Sequence, residues 1–422
     1  MKILLINKFY YIKGGTEKHF FELKSVLEER GHEVIVFSTE NKKNIKSGKN
    51  EYFIPELRMN LNNFFNGFKL FYNFQAIGDL KKIIAEHKID IAHLHNISHH
   101  FSPAIIKVLK ENNIPTVMTV HDYKLLCPNY KLFNKGKICE KCRGGKFYHC
   151  TLNKCVKSSY LGSLVITLEA YWVRWKRYFN YLDLLIAPSR FMQNKLIENG
   201  FAQEKVEYIP NFLDSFEQKN KVIGAKEKYI LFSGRLSAEK GLDFLIKTFA
   251  EIDDKKLILK IAGKGEDEIY LKEMVRALRM EKRVVFLGHQ SGMQIKKLIR
   301  ESCAVVVPSV WFENAPYSIL EAYAQTKLVI GSDLGGIPEL IGDGKTGFIF
   351  RHGDKKSLAE KIQNVSKDPV GSEKMGMAGL RFLDNQLNSR NYYEKLMKVY
   401  CRAINLNGKN KRKKIDKNVS KC

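Results

Sequence analysis

No uninterrupted apolar stretch in this chain approaches the roughly 20 residues that a membrane-spanning helix needs. The opening run Met1-Lys2-Ile3-Leu4-Leu5-Ile6 reaches Asn7 and Lys8 too soon for a signal peptide, so a cytoplasmic protein is expected. Acidic residues are few: 45 against 71 lysines and arginines, for a formal net charge of +26. That balance favours anionic partners (nucleic acid, phospholipid headgroups or phosphate-bearing substrates) without choosing among them. The fingerprint Gly-x-Gly-x-x-Gly is missing after the first strand, which argues against a dinucleotide site there. No internal repeat is visible. Cysteines number eight, and in a cytoplasmic chain thiols or metal ligands are expected in preference to disulfides. What is present is globular: 422 residues with 44% hydrophobic content, enough for two ordinary domains with sizeable cores.

Strand and helix signals alternate along the chain. The first half opens with a strand over 2–7 and a loop ending in Gly14-Gly15. A helix follows over about 16–30, with Phe20, Leu23, Val26 and Leu27 at helical spacing, and then a strand over 33–38. Further strands are predicted at 90–94, 116–121, 184–187 and 206–209. A second series runs through 229–235, 257–263, 284–286 and 303–307. This alternation predicts a parallel, doubly wound sheet in each half, an α/β fold. The predicted organisation is a domain over 1–213 with a cysteine-rich insert at 127–155, a polar linker at 214–228, a domain over 229–370, helices at 371–405 and a basic tail at 406–422.

In an open parallel sheet, ligands bind beyond the carboxyl ends of the strands. The strand at 303–307 stops at Pro308-Ser309 and leads into Trp311-Phe312-Glu313-Asn314-Ala315-Pro316-Tyr317-Ser318-Ile319-Leu320-Glu321. Pro316 suits the first turn of a helix, where its missing N–H is not needed. Glu313 then lies on the loop and Glu321 about a turn into the helix. Two carboxylates there can hold neighbouring hydroxyls of a ribose and of a sugar by charge-assisted hydrogen bonds. Acids that only favour a helix dipole would give the same pattern, and the flanking segments shift the balance towards ligand binding. Gly234-Arg235-Leu236 and Glu239-Lys240-Gly241 place a guanidinium fork and a movable ammonium where they can neutralise a pyrophosphate leaving group. Gly335 and Gly336, in Asp333-Leu334-Gly335-Gly336-Ile337-Pro338-Glu339, let a backbone turn come near phosphates. Gly14 and Gly15 either bring the free N–H groups of a helix start to a ligand or simply turn the chain tightly. His121, in Thr119-Val120-His121-Asp122-Tyr123, ends an apolar strand beside a carboxylate.

Taken in order, these segments resemble the retaining family-four glycosyltransferases (group 1), whose two-domain architecture is called GT-B. The resemblance covers nearly the whole chain. It implies two Rossmann-like domains facing a central cleft, the first for the acceptor and the second for the donor, with the last helices crossing back onto the first. It implies that Glu313 addresses the donor sugar, Glu321 the ribose and His121 the donor sugar near the reacting centre. The loop of Gly14, Gly15 and Glu17 then lies by the reacting groups on the acceptor side. It also implies transfer through an oxocarbenium-like state, with the departing phosphate taking the acceptor's proton on the same face. Sugar transferases of another architecture hold a metal on Asp-x-Asp; none occurs in this chain, so no catalytic cofactor is expected. The donor is expected to be a UDP- or GDP-sugar and the acceptor a saccharide or lipid-linked saccharide, in surface polysaccharide biosynthesis by family analogy. One departure stands out: Thr326 and Leu328 occupy positions where the family has glycine and proline.

Four features lie outside those motifs. His93, His95, His99 and His100 follow one another closely, and cleft lining is favoured over a metal site. The aromatic run from Asn63 to Phe74, with Phe64, Phe68 and Phe71 on one helical side, packs in a core or meets a lipid surface, as does Tyr171-Trp172-Val173-Arg174-Trp175-Lys176. Peripheral contact with an anionic membrane is the partner expected for such basic, aromatic segments. Cys139, Cys142, Cys150 and Cys155 sit in a Lys-, Gly- and Asn-rich loop, and four thiolates would suit a structural zinc, with Cys127 able to replace one of them. The last residues, rich in lysine, are expected to form a mobile basic arm. Two other functions compete: a nucleotide-sugar epimerase of the same fold, and a zinc-containing nucleic-acid-binding protein. The second leaves the paired glutamates unexplained, and no nucleic-acid partner is expected.

Overall fold

The computed structural model describes residues 1–45, 48–57, 65–215 and 227–419, the side chains of 65–67 and 409–419 excepted. Most of the expected linker (216–226) and Phe64 of the aromatic run lie outside the described residues. The chain divides into two compact units, one of Met1–Leu132, Glu140–Pro210 and Tyr392–Cys422, the other of Phe133–Cys139 and Asn211–Asn391.

The first unit is built on strands β1 (Lys2–Ile6), β2 (Glu33–Glu40), β3 (Glu51–Pro55), β4 (Ile91–Leu94) and β5 (Thr116–Thr119). A hairpin of β6 (Phe133–Asn134) and β7 (Lys137–Ile138), two residues each, comes next in the chain and belongs to the second unit; β8 (Leu184–Ala187) and β9 (Val206–Tyr208) complete the first unit's sheet. Its order is β3-β2-β1-β4-β5-β8-β9, parallel throughout. Ile3, Leu4, Leu5 and Ile6 are all fully buried, as befits a parallel strand covered by helices on both faces. β3 was not expected, because Glu51-Tyr52-Phe53-Ile54-Pro55 is a half-exposed edge strand with a weak apolar signal.

The second unit carries β10 (Tyr229–Ser233), β11 (Ile258–Ala262), β12 (Val284–Gly288), β13 (Ala304–Val307), β14 (Val329–Ser332) and β15 (Gly347–Phe350). Their order is β12-β11-β10-β13-β14-β15. Alternate residues of β10 enter different cores: Ile230 and Phe232 pack with Leu245, Phe249 and Ile261, while Tyr229 and Leu231 pack with Ile319, Leu320 and Tyr323. In both sheets the winding reverses direction next to the first strand, at β1/β4 and at β10/β13. These are the switch points where loops diverge and leave room for a ligand.

Two local expectations need correction. Pro316 is not in the first helical turn; it is the extended cap residue before the Tyr317–Ala324 helix, since φ near −70° serves a cap as well as a helix. The tail is not an unstructured arm in its backbone: the last helix runs from Ser389 to Val419. Lysine and arginine are good helix formers, and no proline interrupts the stretch.

Candidate active site

In the second unit, the loops after β10 and β13 meet at the switch point. The loop after β13 brings Glu313 to Lys240, whose Nζ lies 2.6 Å from its Oε1. Ser309 Oγ donates to the same oxygen at 2.6 Å. Glu313 is only 5% exposed. Burial alone would raise its pKa, but the Lys240 ammonium and the hydrogen bonds outweigh that and hold the carboxyl below its ordinary range. Lys240 ends a short 3-10 turn, Ala238–Lys240, and is followed by Gly241 at φ 69°. A side chain at Gly241 would run into the Pro308 carbonyl, so the two loops can close only over glycine.

Gly335 and Gly336 complete this group. Gly336 N donates to the Glu313 carbonyl at 2.7 Å. Gly335 has φ 63°, and an added Cβ would collide with the Glu313 backbone. The turn after β14 is thus packed directly on the loop that carries Glu313. Arg235 is exposed just beyond β10, and Glu321 is half-buried on the Tyr317–Ala324 helix, both at the carboxyl end of the same sheet. Lys240, expected to serve as a movable point charge for the diphosphate, is here paired with Glu313.

The first unit gathers a different chemistry at its own switch point. Lys8 N donates to the Asn96 carbonyl at 2.8 Å, and Asn96 N donates to Asn7 Oδ1 at 3.2 Å, joining the ends of β1 and β4. Gly14 caps the Gly15–Glu29 helix with no side-chain hydrogen bond. Glu17 is buried in its first turn; burial pushes its carboxyl up, opposed by Lys8 and Lys13.

Behind this loop lie four histidines. His93 and His95, two residues apart and so on one face of the strand, stack with ring centroids 4.5 Å apart. His95 Nδ1 is 2.9 Å from His121 Nε2. His93 is held by Thr119 Oγ1 and Tyr400 OH, each at 2.8 Å, and His19 Nε2 lies 3.1 Å from Tyr392 OH. Of the four histidines expected to line a cleft, His93 and His95 are fully buried and do not, whereas His99 and His100 line a cavity with Lys8, Lys13 and Tyr130. Tyr392 and Tyr400, from the last helix, hydrogen-bond to His19 and His93. Burial pushes His19 and His93 down to about 3, and His95 and His121 well below their ordinary value, so all four rings are neutral near pH 7. Among the described residues, His19, His95 and His121 are the one group of three such side chains with potential ligand atoms within 4.8 Å of one another. Their donor chemistry would suit zinc or copper. Yet His95 Nδ1 and His121 Nε2 already face each other, and His19 Nε2 faces Tyr392, so the contacts orient His121 by ring-to-ring hydrogen bonding.

His19 and Ser309 were missed by sequence reasoning. His19 lies on the apolar side of its helix next to Phe20, and a polar residue at such a position was the available signal.

Two family descriptions match this chain: Glycosyltransferase Family 4 over residues 13–215 and Glycosyl transferases group 1 over residues 214–381. The chain belongs to the group 1, family-four glycosyltransferases. This glycosyltransferase is 26% identical over 365 residues to an uncharacterized 42.6 kDa protein in the cps region of Klebsiella pneumoniae, covering 81% of this chain and 87% of that one. It is 23% identical over 406 residues to N-acetyl-alpha-D-glucosaminyl L-malate synthase of Bacillus anthracis, covering 95% and 97% of the two chains. Among solved structures, sucrose-phosphate synthase from Thermosynechococcus elongatus aligns with a TM-score of 0.72 at 18% identity, over 95% of this chain and 98% of that one. HepE of Anabaena, in complex with UDP and glucose, aligns with a TM-score of 0.67 at 17% identity, over 94% and 99%. The fold of this glycosyltransferase is GT-B.

Proposed function

We propose that this glycosyltransferase is a retaining enzyme that moves a sugar from a UDP- or GDP-sugar to a saccharide or lipid-linked acceptor, in the assembly of a surface polysaccharide. The observation that carries this reading is the group of buried Glu313 and Ser309 with part-buried Lys240, packed on Gly335-Gly336 at the switch point of the second sheet. Glu313 is held charged in a fixed position by Lys240 and Ser309, as preorganised electrostatic stabilisation requires. Arg235 supplies a guanidinium for the diphosphate, with Lys240 close by to offset the charge that grows as the glycosidic bond breaks. Glu321 takes the ribose hydroxyls. In the first unit, Gly14, Gly15 and Glu17 are assigned to the acceptor, and His121 to the donor sugar. The bond from the anomeric carbon to the diphosphate breaks while the acceptor hydroxyl bonds to the same face. Its proton passes to the departing phosphate oxygen. This reading needs no catalytic metal, since the cations of the second unit serve the leaving group.

The complexes of HepE with UDP and glucose, and of a structurally similar mutant of S. aureus TarM (TM-score 0.66, 13% identity) with fondaparinux, alpha-GlcNAc-glycerol and UDP, support a nucleotide-sugar donor and a saccharide acceptor. Among the described residues no helix is long and apolar enough to cross a membrane. The exposed rings of Phe74 and Trp175, 78% and 68% accessible, with Lys176 4.2 Å from the Trp175 ring, favour peripheral contact with an anionic bilayer. The test is product analysis by NMR after incubation with UDP- and GDP-sugars and candidate acceptors. Acceptor-dependent release of nucleoside diphosphate and an anomer matching the donor's are expected. An inverted anomer would overturn the retaining mechanism, and epimerised donor without acceptor would point to the epimerase.

A further inference from the structure

The cysteine-rich insert is explained by neither unit's active-site geometry. It contains a two-residue hairpin, a 3-10 turn over Arg143–Gly145 and a helix of five residues, Tyr148–Leu152. Its own core comprises only Cys142, Phe147 and Cys150, with Cys155, Val156 and Ala170 packed against it. So small a core cannot offset the ordering of its backbone. The segment is also conformationally costly: Tyr130, Leu132, Lys135, Lys154, Lys157 and Ser158 all have left-handed φ without being glycine.

Cys127 and Cys142 lie within hydrogen-bonding reach of each other, as do Cys150 and Cys155. Cys127, Cys142 and Cys150 are at most 6% exposed, and the groups acting on the Cys142 thiol include all three others. Cys127 arrives through the turn in which Cys127 N and Leu126 N both donate to the Tyr123 carbonyl, which folds it back on the insert. The four-thiol set is therefore Cys127, Cys142, Cys150 and Cys155, with Cys127 in the place the sequence reading gave to Cys139. The thiols stand as two close pairs, and metal binding would bring the pairs onto one centre by side-chain rotation.

We propose that Cys127, Cys142, Cys150 and Cys155 bind one structural zinc ion that holds the insert on the helix Tyr160–Trp175. Zinc fits four thiolates in a tetrahedral site closed to substrate. The set carries net negative charge once metal is bound, and the surroundings compensate it: from Lys124 to Ser158 the chain has nine basic residues and one acid. Binding releases the thiol protons and converts ligand affinity into folding energy for the insert.

The test is metal analysis of the full chain purified under reducing conditions from zinc-supplemented cells, with folding followed by circular dichroism. About one zinc per chain is expected, released stoichiometrically by a thiol-blocking mercurial. Exchange with Co(II) is expected to give the intense visible bands of a tetrahedral thiolate site. Cys127→Ser and Cys150→Ser should lose the metal, whereas Cys139→Ser and Cys303→Ser should keep it. The wild-type stoichiometry and cobalt spectrum stand even if a serine variant fails to fold. Folded wild type without zinc or a cobalt spectrum would overturn the proposal. So would iron with acid-labile sulfide, disulfides pairing Cys127 with Cys142 and Cys150 with Cys155, or loss of metal in Cys139→Ser with retention in Cys127→Ser.

Discussion

Glu313 keeps its charge in a buried position because Lys240 stands beside it. Glu313 is buried at the end of a parallel strand, and an ionised carboxylate there is tolerated because an ammonium and a serine hydroxyl meet one of its oxygens. Removing one partner leaves the other uncompensated. Lys240→Ala should therefore destabilise the second unit by about 3 kcal/mol, with Glu313→Gln/Lys240→Met recovering much of the loss, as read by urea unfolding. Equal stability of Lys240→Ala and wild type would show the pair to be weak. A second residue-scale effect lies at Thr326, which has φ 57° where the family pattern calls for glycine. A β-branched residue in the left-handed region is strained. Thr326→Gly should raise stability by up to about 1 kcal/mol, the relief of strain exceeding the entropy cost of glycine. An unchanged or lowered melting temperature would contradict this. These contacts explain the division between what was legible and what was not. Glu313, Lys240 and the glycines were visible as motifs, but their pairing was not, because the two loops are separated by some seventy residues and meet only through the sheet's winding.

At the scale of elements, β4 and the last helix share a buried polar array. His93 pairs with Tyr400 and Thr119, and His19 with Tyr392. The folded pKa values of His19 and His93 are pushed down to about 3 by burial, while the unfolded chain titrates near 6.5. For a depressed group, the stability it contributes is present above the unfolded value and lost as pH falls towards the folded one. Stability should therefore decline from about pH 6.5 towards pH 3, with a slope approaching 1.4 kcal/mol per pH unit for each such histidine. Urea titrations at successive pH values measure the slope, and a flat profile between pH 6.5 and 5 would contradict neutral burial. The sequence made β1, β8 and β10 legible because each is a continuous apolar run bounded by turn residues. It hid β3, β14 and β15, where edge position or glycine and serine dilute the run. The histidines were visible as a cluster, but their cover was not: it comes from tyrosines three hundred residues away. Cys127 was outranked by Cys139 for a related reason, since nearness in sequence is a poor guide to which thiol a turn folds back.

At the scale of the whole molecule, the +26 charge and the exposed aromatics are the features that the active-site chemistry leaves over. If they serve an anionic bilayer, the protein should co-sediment with phosphatidylserine-containing vesicles at low salt and dissociate as salt screens the attraction. Phe74→Ala/Trp175→Ala should weaken that binding without changing turnover of a soluble acceptor. Binding that ignores both salt and the aromatic substitutions would rule out this surface. The two-domain α/β plan was legible throughout, because alternation of apolar strands and amphipathic helices is a property of the chain as a whole. Donor chemistry at the second sheet's switch point is the central claim. Calorimetric titration with UDP, GDP, ADP and CMP, repeated for Arg235→Ala and Glu321→Ala, tests it most directly. Tight binding of UDP or GDP, weakened at least about tenfold in both folded variants, a cost near 1.4 kcal/mol each, is the expected result. No binding of any nucleotide by the folded wild-type protein, or binding untouched by both substitutions, would contradict it.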